Sequence, residues 1–248
     1  MSSSPPSTRR PLPAASLPAR ATARTANTKT ERAVACHSER SEEPKASVTR
    51  DEQEMIVVRS GPSASGKDAV ADRILSEHAD RISPAITATT RPPRPGEVDA
   101  VHYRFLTPDA FAELEESGQL LESAIVYGYR YGVPRESVRA ALDRTPIALV
   151  KTDVQGAASI KALIPQALLL FITVPDFATL ERRMRTRGGM DQETMERRLQ
   201  EARNEIERRD EFDYVVVNED GRLDEAVTET WEIIEQEAAR PERRPVGL

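Results

Sequence analysis

Cysteine is almost absent from this sequence. Cys36 stands alone, so the chain can close no internal disulfide and build no cysteine-based metal cluster, which suits a reducing compartment. Histidine is nearly as rare, and His37, His78 and His102 lack the spacing of a metal site. Long apolar runs are missing as well: none approaches the roughly 20 residues of a membrane-spanning helix. The mean hydropathy of −0.54 points the same way. Nor is there an excess of positive charge. A net charge of −6 argues against wholesale nucleic-acid binding, while leaving room for a local basic patch that serves a phosphate-bearing small molecule. The expectation is a cytoplasmic protein with neither membrane nor nucleic-acid partners; the oligomeric state is not legible.

A chain of 248 residues holds one large domain or two small ones. Residues 1–53 differ from the rest. They are rich in Ser, Pro, Ala, Thr and Arg and show no periodicity, so they read as a disordered extension that cannot bury enough surface to offset chain entropy. Up to Thr30 the segment has no acidic residue but carries Arg9, Arg10, Arg20, Arg24 and Lys29, the composition of a plastid or mitochondrial transit peptide. The alternative is a non-functional extension before a core whose natural start is Met55. Acidic residues returning at Glu31, Glu39, Glu42 and Glu43, and prolines at Pro5, Pro6, Pro11, Pro13 and Pro18, favour that alternative.

The core begins with an apolar strand pattern from Ile56, followed by Gly61, Pro62, Ser63, Ala64, Ser65, Gly66, Lys67, Asp68 and Ala69 at the start of a helical pattern. The spacing Gly61-x4-Gly66-Lys67 fits a phosphate-binding loop. Its glycines free the backbone to turn N–H groups onto an anion, the helix N-terminus adds partial positive charge, and Lys67 adds a full one. Asp68 stands where a hydroxyl residue would normally hold Mg²⁺. Further apolar strands at 147–150, 168–174 and 214–217 alternate with helices, which implies a parallel sheet covered on both faces. Helices are expected at 108–117 and near 135–143, with strand-like pieces at 103–105, 120–122, 125–127 and 129–131 forming a small mixed lobe. A terminal amphipathic helix carries Leu223, Val227, Trp231 and Ile234, with Trp231 read as core. Between Thr87 and Glu97, Arg91 and Arg94 lie among prolines, an extended presentation of two guanidiniums that suits a phosphate monoester.

Taken in order, Gly-Pro-Ser…Gly-Lys, Thr-Thr-Arg-Pro-Pro-Arg-Pro-Gly-Glu, Leu-Glu…Tyr-Gly…Tyr-Gly and Asp153-Val-Gln-Gly-Ala resemble the guanylate kinases from about Met55 to Gln236. The resemblance implies an α/β P-loop kinase: a parallel sheet flanked by helices, a GMP-binding lobe near 86–134, a helical lid near 177–204, a domain spanning 54–237 and a flexible tail at 238–248. It implies Mg²⁺-dependent transfer of a phosphoryl group from ATP to GMP. Carried over by position, Thr87, Arg91, Arg94, Glu97, Tyr103, Tyr131 and Asp153 look like the GMP pocket. Glu122 looks like the residue that reads guanine, since one carboxylate can accept from N1–H and N2–H₂ together. Lys67, Arg183, Arg187 and Arg198 look catalytic, the arginines closing over the triphosphate with Gly188-Gly189 as a flexible point. Asn218 resembles the adenine-side contact, and Asp68 is the expected metal ligand.

Three positions depart from the family pattern. Asp68 replaces Ser or Thr, Lys151 replaces the first member of an Asp-x-Asp pair, and Val133 replaces a hydroxyl expected near guanine. This combination resembles the plastid and mitochondrial enzymes of plants and some bacterial relatives. Lys151 is expected to offset the charge of Asp68. Two rival readings, a ribose 1,5-bisphosphate phosphokinase and a non-catalytic guanylate-kinase-like interaction domain, fit less of the chain: the first has no need of Glu122, the second none of Lys67 and the lid arginines.

Overall fold

The structure, a computed structural model, describes residues 54–126 and 128–240. The expected extension or transit peptide, and the tail beyond Arg240, lie outside the described residues. The main sheet holds five parallel strands in the order β2 (Ile82–Ala85), β7 (Ile147–Lys151), β1 (Met55–Ser60), β8 (Leu168–Thr173) and β9 (Tyr214–Val217). Strands β1 and β8 are buried at every position, as a sheet covered on both faces requires.

Alternation of side chains assigns each strand residue to one face. Ile56, Val58, Ala148, Val150, Leu169 and Phe171 pack with α3 (Arg135–Leu142) and α4 (Val154–Leu163). Met55, Val57, Ile147, Leu149, Leu168, Leu170 and Ile172 pack on the other side with α1 (Lys67–Glu77) and α7 (Leu223–Ala238). Trp231 belongs to this second core, stacked on His78 at 3.7 Å between ring centroids. A third cluster joins α5 (Phe177–Arg187) to α6 (Gln192–Glu207) through Leu180, Met184, Met195 and Leu199.

A second sheet, in the order β4 (Arg104–Phe105), β3 (Ala88–Thr89), β6 (Tyr129–Pro134) and β5 (Leu120–Val126), forms the mixed section, with α2 (Pro108–Glu116) between β4 and β5. Strand β2, the two-residue β3 and helix α4 are not marked in the sequence pattern. Strand β2 contains Pro84, which an edge strand tolerates because its N–H side need not pair. Helix α4 reads Val-Gln-Gly-Ala-Ala-Ser-Ile-Lys-Ala-Leu, too small and apolar to show a polar face. Among the described residues no helix is long and apolar enough to cross a membrane.

The parallel strands deliver Gly61, Thr152 and Asn218 to one edge of the sheet, the crevice where open α/β sheets bind ligands. That edge depends on a tightly filled core beneath it. Phe171 is fully buried, with its ring 5.0 Å from that of Phe212. Replacing it with Ala should cost about 3–5 kcal/mol, measured by denaturant unfolding of the purified protein.

Candidate active site

After β1 the chain turns at Gly61 (φ +135°), where an added Cβ would stand 2.1 Å from the carbonyl oxygen of Ile172. Gly66 (φ +85°) is equally restricted, its Cβ position 2.1 Å from Nδ2 of Asn218. The loop is braced from outside. Nδ2 of Asn218 donates to the carbonyl of Ser65 at 2.8 Å and the Arg183 guanidinium donates to the same oxygen at 3.1 Å. Arg183 also donates to the carbonyl of Asn218 and pairs with Asp220. The N-cap residue Gly66 offers no side-chain cap to α1, and only the Lys67 N–H is engaged by a side chain, donating to Ser65 Oγ at 3.4 Å, which leaves the other first-turn N–H groups available to an anion. Pro62 is buried, Ser63 and Ala64 half-buried, and Ala69 exposed.

Lys67 curls back so that Nζ donates to the carbonyl of Pro62 at 3.1 Å. Burial lowers its pKa, with Asp68 and Glu205 pulling the other way. Glu205, on α6, has the mirror-image problem: burial raises its pKa and Lys67 opposes the rise. It escapes sequence reasoning because it sits in a run of charged helical residues with nothing local to mark it.

Asp68 meets two cations on the same oxygen. Arg59 lies 2.9 Å and Lys151 3.0 Å from Oδ1. The surrounding packing works against ionisation, but Lys151, Arg59 and Lys67 outweigh it and hold the carboxyl well below its ordinary range. The expected Lys151–Asp68 pairing is therefore present. Arg59, buried at the end of an apolar strand, is an addition the sequence does not advertise.

In the mixed lobe, Arg91 is buried and donates to Tyr131 Oη at 3.2 Å, Glu97 Oε1 at 2.8 Å and the carbonyl of Pro92 at 2.7 Å. Its guanidinium lies 5.5 Å from the ring centroid of Tyr103, which meets Tyr131 edge-on at 6.0 Å. The hydrogen bond from Arg91 lowers the pKa of Glu97, whose other oxygen accepts from the backbone N–H of Arg94. The Arg94 side chain is exposed. Thr87 is buried and donates to the carbonyl of Lys151 at 3.1 Å.

Glu122 is buried beside Thr152, whose hydroxyl donates to Oε1 at 3.1 Å. Its second oxygen, Oε2, is buried without a hydrogen-bond partner among the described residues. Burial raises the Glu122 pKa to about 7, with the charge of Asp153 adding to the rise and the Thr152 hydrogen bond opposing it. Gly156 lets α4 approach: a Cβ there would stand 2.0 Å from the Thr152 hydroxyl and 2.6 Å from Oε2. Asp153 caps that helix, accepting from the Gly156 N–H at 2.7 Å. Val133 is fully buried in the core beside Leu121 and Val138, so its apolar character has a packing role.

The three arginines expected to close over the triphosphate are not gathered together. Arg183 is locked against the phosphate loop, Arg187 is exposed at the end of α5, and Arg198 is half-buried on α6. Gly188 and Gly189 between these helices have φ of 63° and 74°, with open space around each.

A family model described as guanylate kinase matches residues 53–237. A guanylate kinase of Rhodococcus jostii (strain RHA1) is 45% identical over 167 residues, covering 66% of this chain and 80% of that protein. One from Mycobacterium sp. (strain MCS) is 43% identical over 176 residues, covering 70% of this chain and 87% of its own. The crystal structure of guanylate kinase from Anaplasma phagocytophilum matches with a TM-score of 0.62 at 28% identity, over 77% of this chain and 89% of that one.

Glu122 carries a pH signature. Its carboxyl has a folded pKa raised from 4.5 to about 7, so the stability it allows is greatest below 4.5 and is lost as pH rises to about 7. In the ligand-free protein, the Tm of Glu122→Gln relative to wild type should therefore climb across that window and level off above it. A difference flat with pH would mean that Glu122 titrates like an exposed acid.

Proposed function

This chain belongs to the guanylate kinase family and has guanylate kinase function, and on that premise we propose that it transfers the γ-phosphoryl group of ATP to GMP, giving ADP and GDP. The observation that carries the acceptor assignment is Oε2 of Glu122, a buried carboxylate oxygen without a hydrogen-bond partner among the described residues. A buried acceptor left bare is unfavourable, and guanine offers N1–H and N2–H₂ side by side to fill it. Adenine would set an acceptor against an acceptor there. Thr152 fixes the other oxygen, so it orients the carboxylate without touching the base.

In this reading Arg91, Arg94, Tyr103, Tyr131 and Thr87 hold the GMP phosphate. Glu97 prearranges Arg91 through its ion pair at 2.8 Å. The Gly61–Ala69 loop and Lys67 receive the ATP phosphates, and Asn218 and Arg183 keep the loop open by engaging its Ser65 carbonyl. Asn218 thus serves the ATP side by bracing the loop. Arg187 and Arg198 reach the triphosphate when the 177–204 segment closes, hinged at Gly188-Gly189. Asp153 acts as a helix cap and as a charge beside Glu122. An acceptor phosphate is already ionised near neutral pH, so the site needs alignment and charge neutralisation more than a general base.

No group of three or more His, Cys, Asp and Glu side chains fit to hold a metal exists among the described residues. A nucleotide-borne Mg²⁺ does not need one, since it keeps phosphate oxygens and waters and takes one or two protein oxygens. Asp68, 59% exposed at its side chain, fits as that oxygen donor. When bound, the ion neutralises charge developing across the phosphates.

A coupled assay with ATP and either GMP, AMP or ribose 1,5-bisphosphate tests this. GMP should be preferred to AMP by on the order of 10⁴-fold, as in sites that pair a buried polar group with the correct base. Glu122→Ala should collapse that preference. Lys67→Met should lower kcat by roughly 10²–10³-fold, the scale for removing one electrostatic stabiliser of the transition state. Absence of GDP with GMP as acceptor would overturn the assignment.

A further inference from the structure

Arg59 and Lys151 are direct partners in the register of the parallel pair β1 and β7. Two cations side by side on neighbouring strands repel unless an anion joins them, and Oδ1 of Asp68 does so at 2.9 and 3.0 Å. The two cations do not need Asp68 equally. The Arg59 side chain is only 9% exposed and would be a costly buried charge without its carboxylate, whereas Lys151 is 33% exposed and can be solvated. One carboxylate facing Arg59, Lys151 and Lys67 also leaves the cluster with surplus positive charge. Surplus charge beside a phosphate loop is a means of attracting further phosphate.

The place of Lys151 says which phosphate. Its ammonium lies 5.2 Å from the ring centroid of Tyr103, the aromatic that also faces Arg91. Its backbone carbonyl accepts from Thr87, at the start of the arginine-bearing segment. Lys151 thus stands between Asp68 on the donor loop and the Tyr103–Arg91 pocket.

We propose that Lys151 contacts substrate directly, its ammonium binding the phosphate of the acceptor nucleotide, with Asp68 as the positioning residue that holds it between the two phosphate sites. The proposal rests on the reading of the acceptor as GMP. Its competitor is a Lys151 that only offsets the charge of Asp68. In that case removing Asp68 removes any need for Lys151.

Calorimetric titration of GMP, without ATP and in metal-free buffer, separates the two. Lys151→Gln should weaken GMP binding by about tenfold or more, the scale of one charge-assisted hydrogen bond, and Lys151→Arg should retain most of it. Guanosine, which lacks the phosphate, should bind wild type and K151Q equally. The loss should shrink but persist when K151Q is placed in an Asp68→Asn background, where Lys151 keeps its charge but loses its anchor, and D68N alone should weaken GMP binding. Wild-type GMP affinity in K151Q, an equal loss for guanosine, or disappearance of the effect in the D68N background would each overturn the proposal. If the wild-type protein bound guanosine but gained nothing from its phosphate, Lys151 would have no phosphate to bind. If it bound neither ligand, the GMP reading would fall as well.

Discussion

One carbonyl oxygen, that of Ser65, ties the donor half of the site together. It accepts from Asn218 at 2.8 Å and from Arg183 at 3.1 Å, so the phosphate loop, the end of β9 and helix α5 converge on a single atom. A phosphate loop binds by pointing N–H groups inward, which requires that its carbonyls point outward and be satisfied there. The two outside donors meet that need. They also explain the glycines: a Cβ on Gly66 would strike Asn218, and one on Gly61 would strike the carbonyl of Ile172. Loop shape, sheet edge and helix α5 are therefore one constraint.

The proposed acceptor side is arranged differently, by pre-pairing. Arg91 is buried, and its fork is already matched to Glu97, Tyr131 and a backbone carbonyl. A buried guanidinium without partners would be unstable, and a flexible one would lose entropy on binding. Holding it with a carboxylate and a phenol answers both needs. In the proposed reading the phosphate meets a fork already oriented, with the exposed Arg94 free to adjust.

What the sequence makes legible follows from how local each feature is. The phosphate loop is contiguous, so its spacing alone marks it, and β1, β7, β8 and β9 stand out as short apolar runs. Edge strand β2 does not, because Pro84 interrupts its pattern, and α4 is too rich in small apolar residues to show a helical period. The same distinction governs the site. Glu122 and Arg91 come from motifs, but Arg59 hides at the end of a strand and acquires its role only when Asp68 folds over it. Thr152 gains meaning only once β5 brings Glu122 alongside. Asn218, expected as a ligand contact, also braces the loop in three dimensions. Through-space pairs of this kind have no sequence period.

In the proposed reading, the surroundings of Glu122 prepare it for a base. Burial and the nearby Asp153 leave its carboxyl half-protonated near neutral pH, with a pKa of about 7. In that reading it accepts hydrogen bonds from guanine, which the ionised form does best. The donors that complete the pair also stabilise the charge, so base binding and proton loss reinforce each other. Thr152 works in the same direction by already donating to Oε1. Adenine, with an acceptor at N1, could be met only by the protonated carboxyl, whose O–H would donate to it, so selectivity depends on the ionised form. In the proposed reading, discrimination rests on holding that carboxyl ionised through paired donors, in a pocket kept tight by the close approach of Gly156.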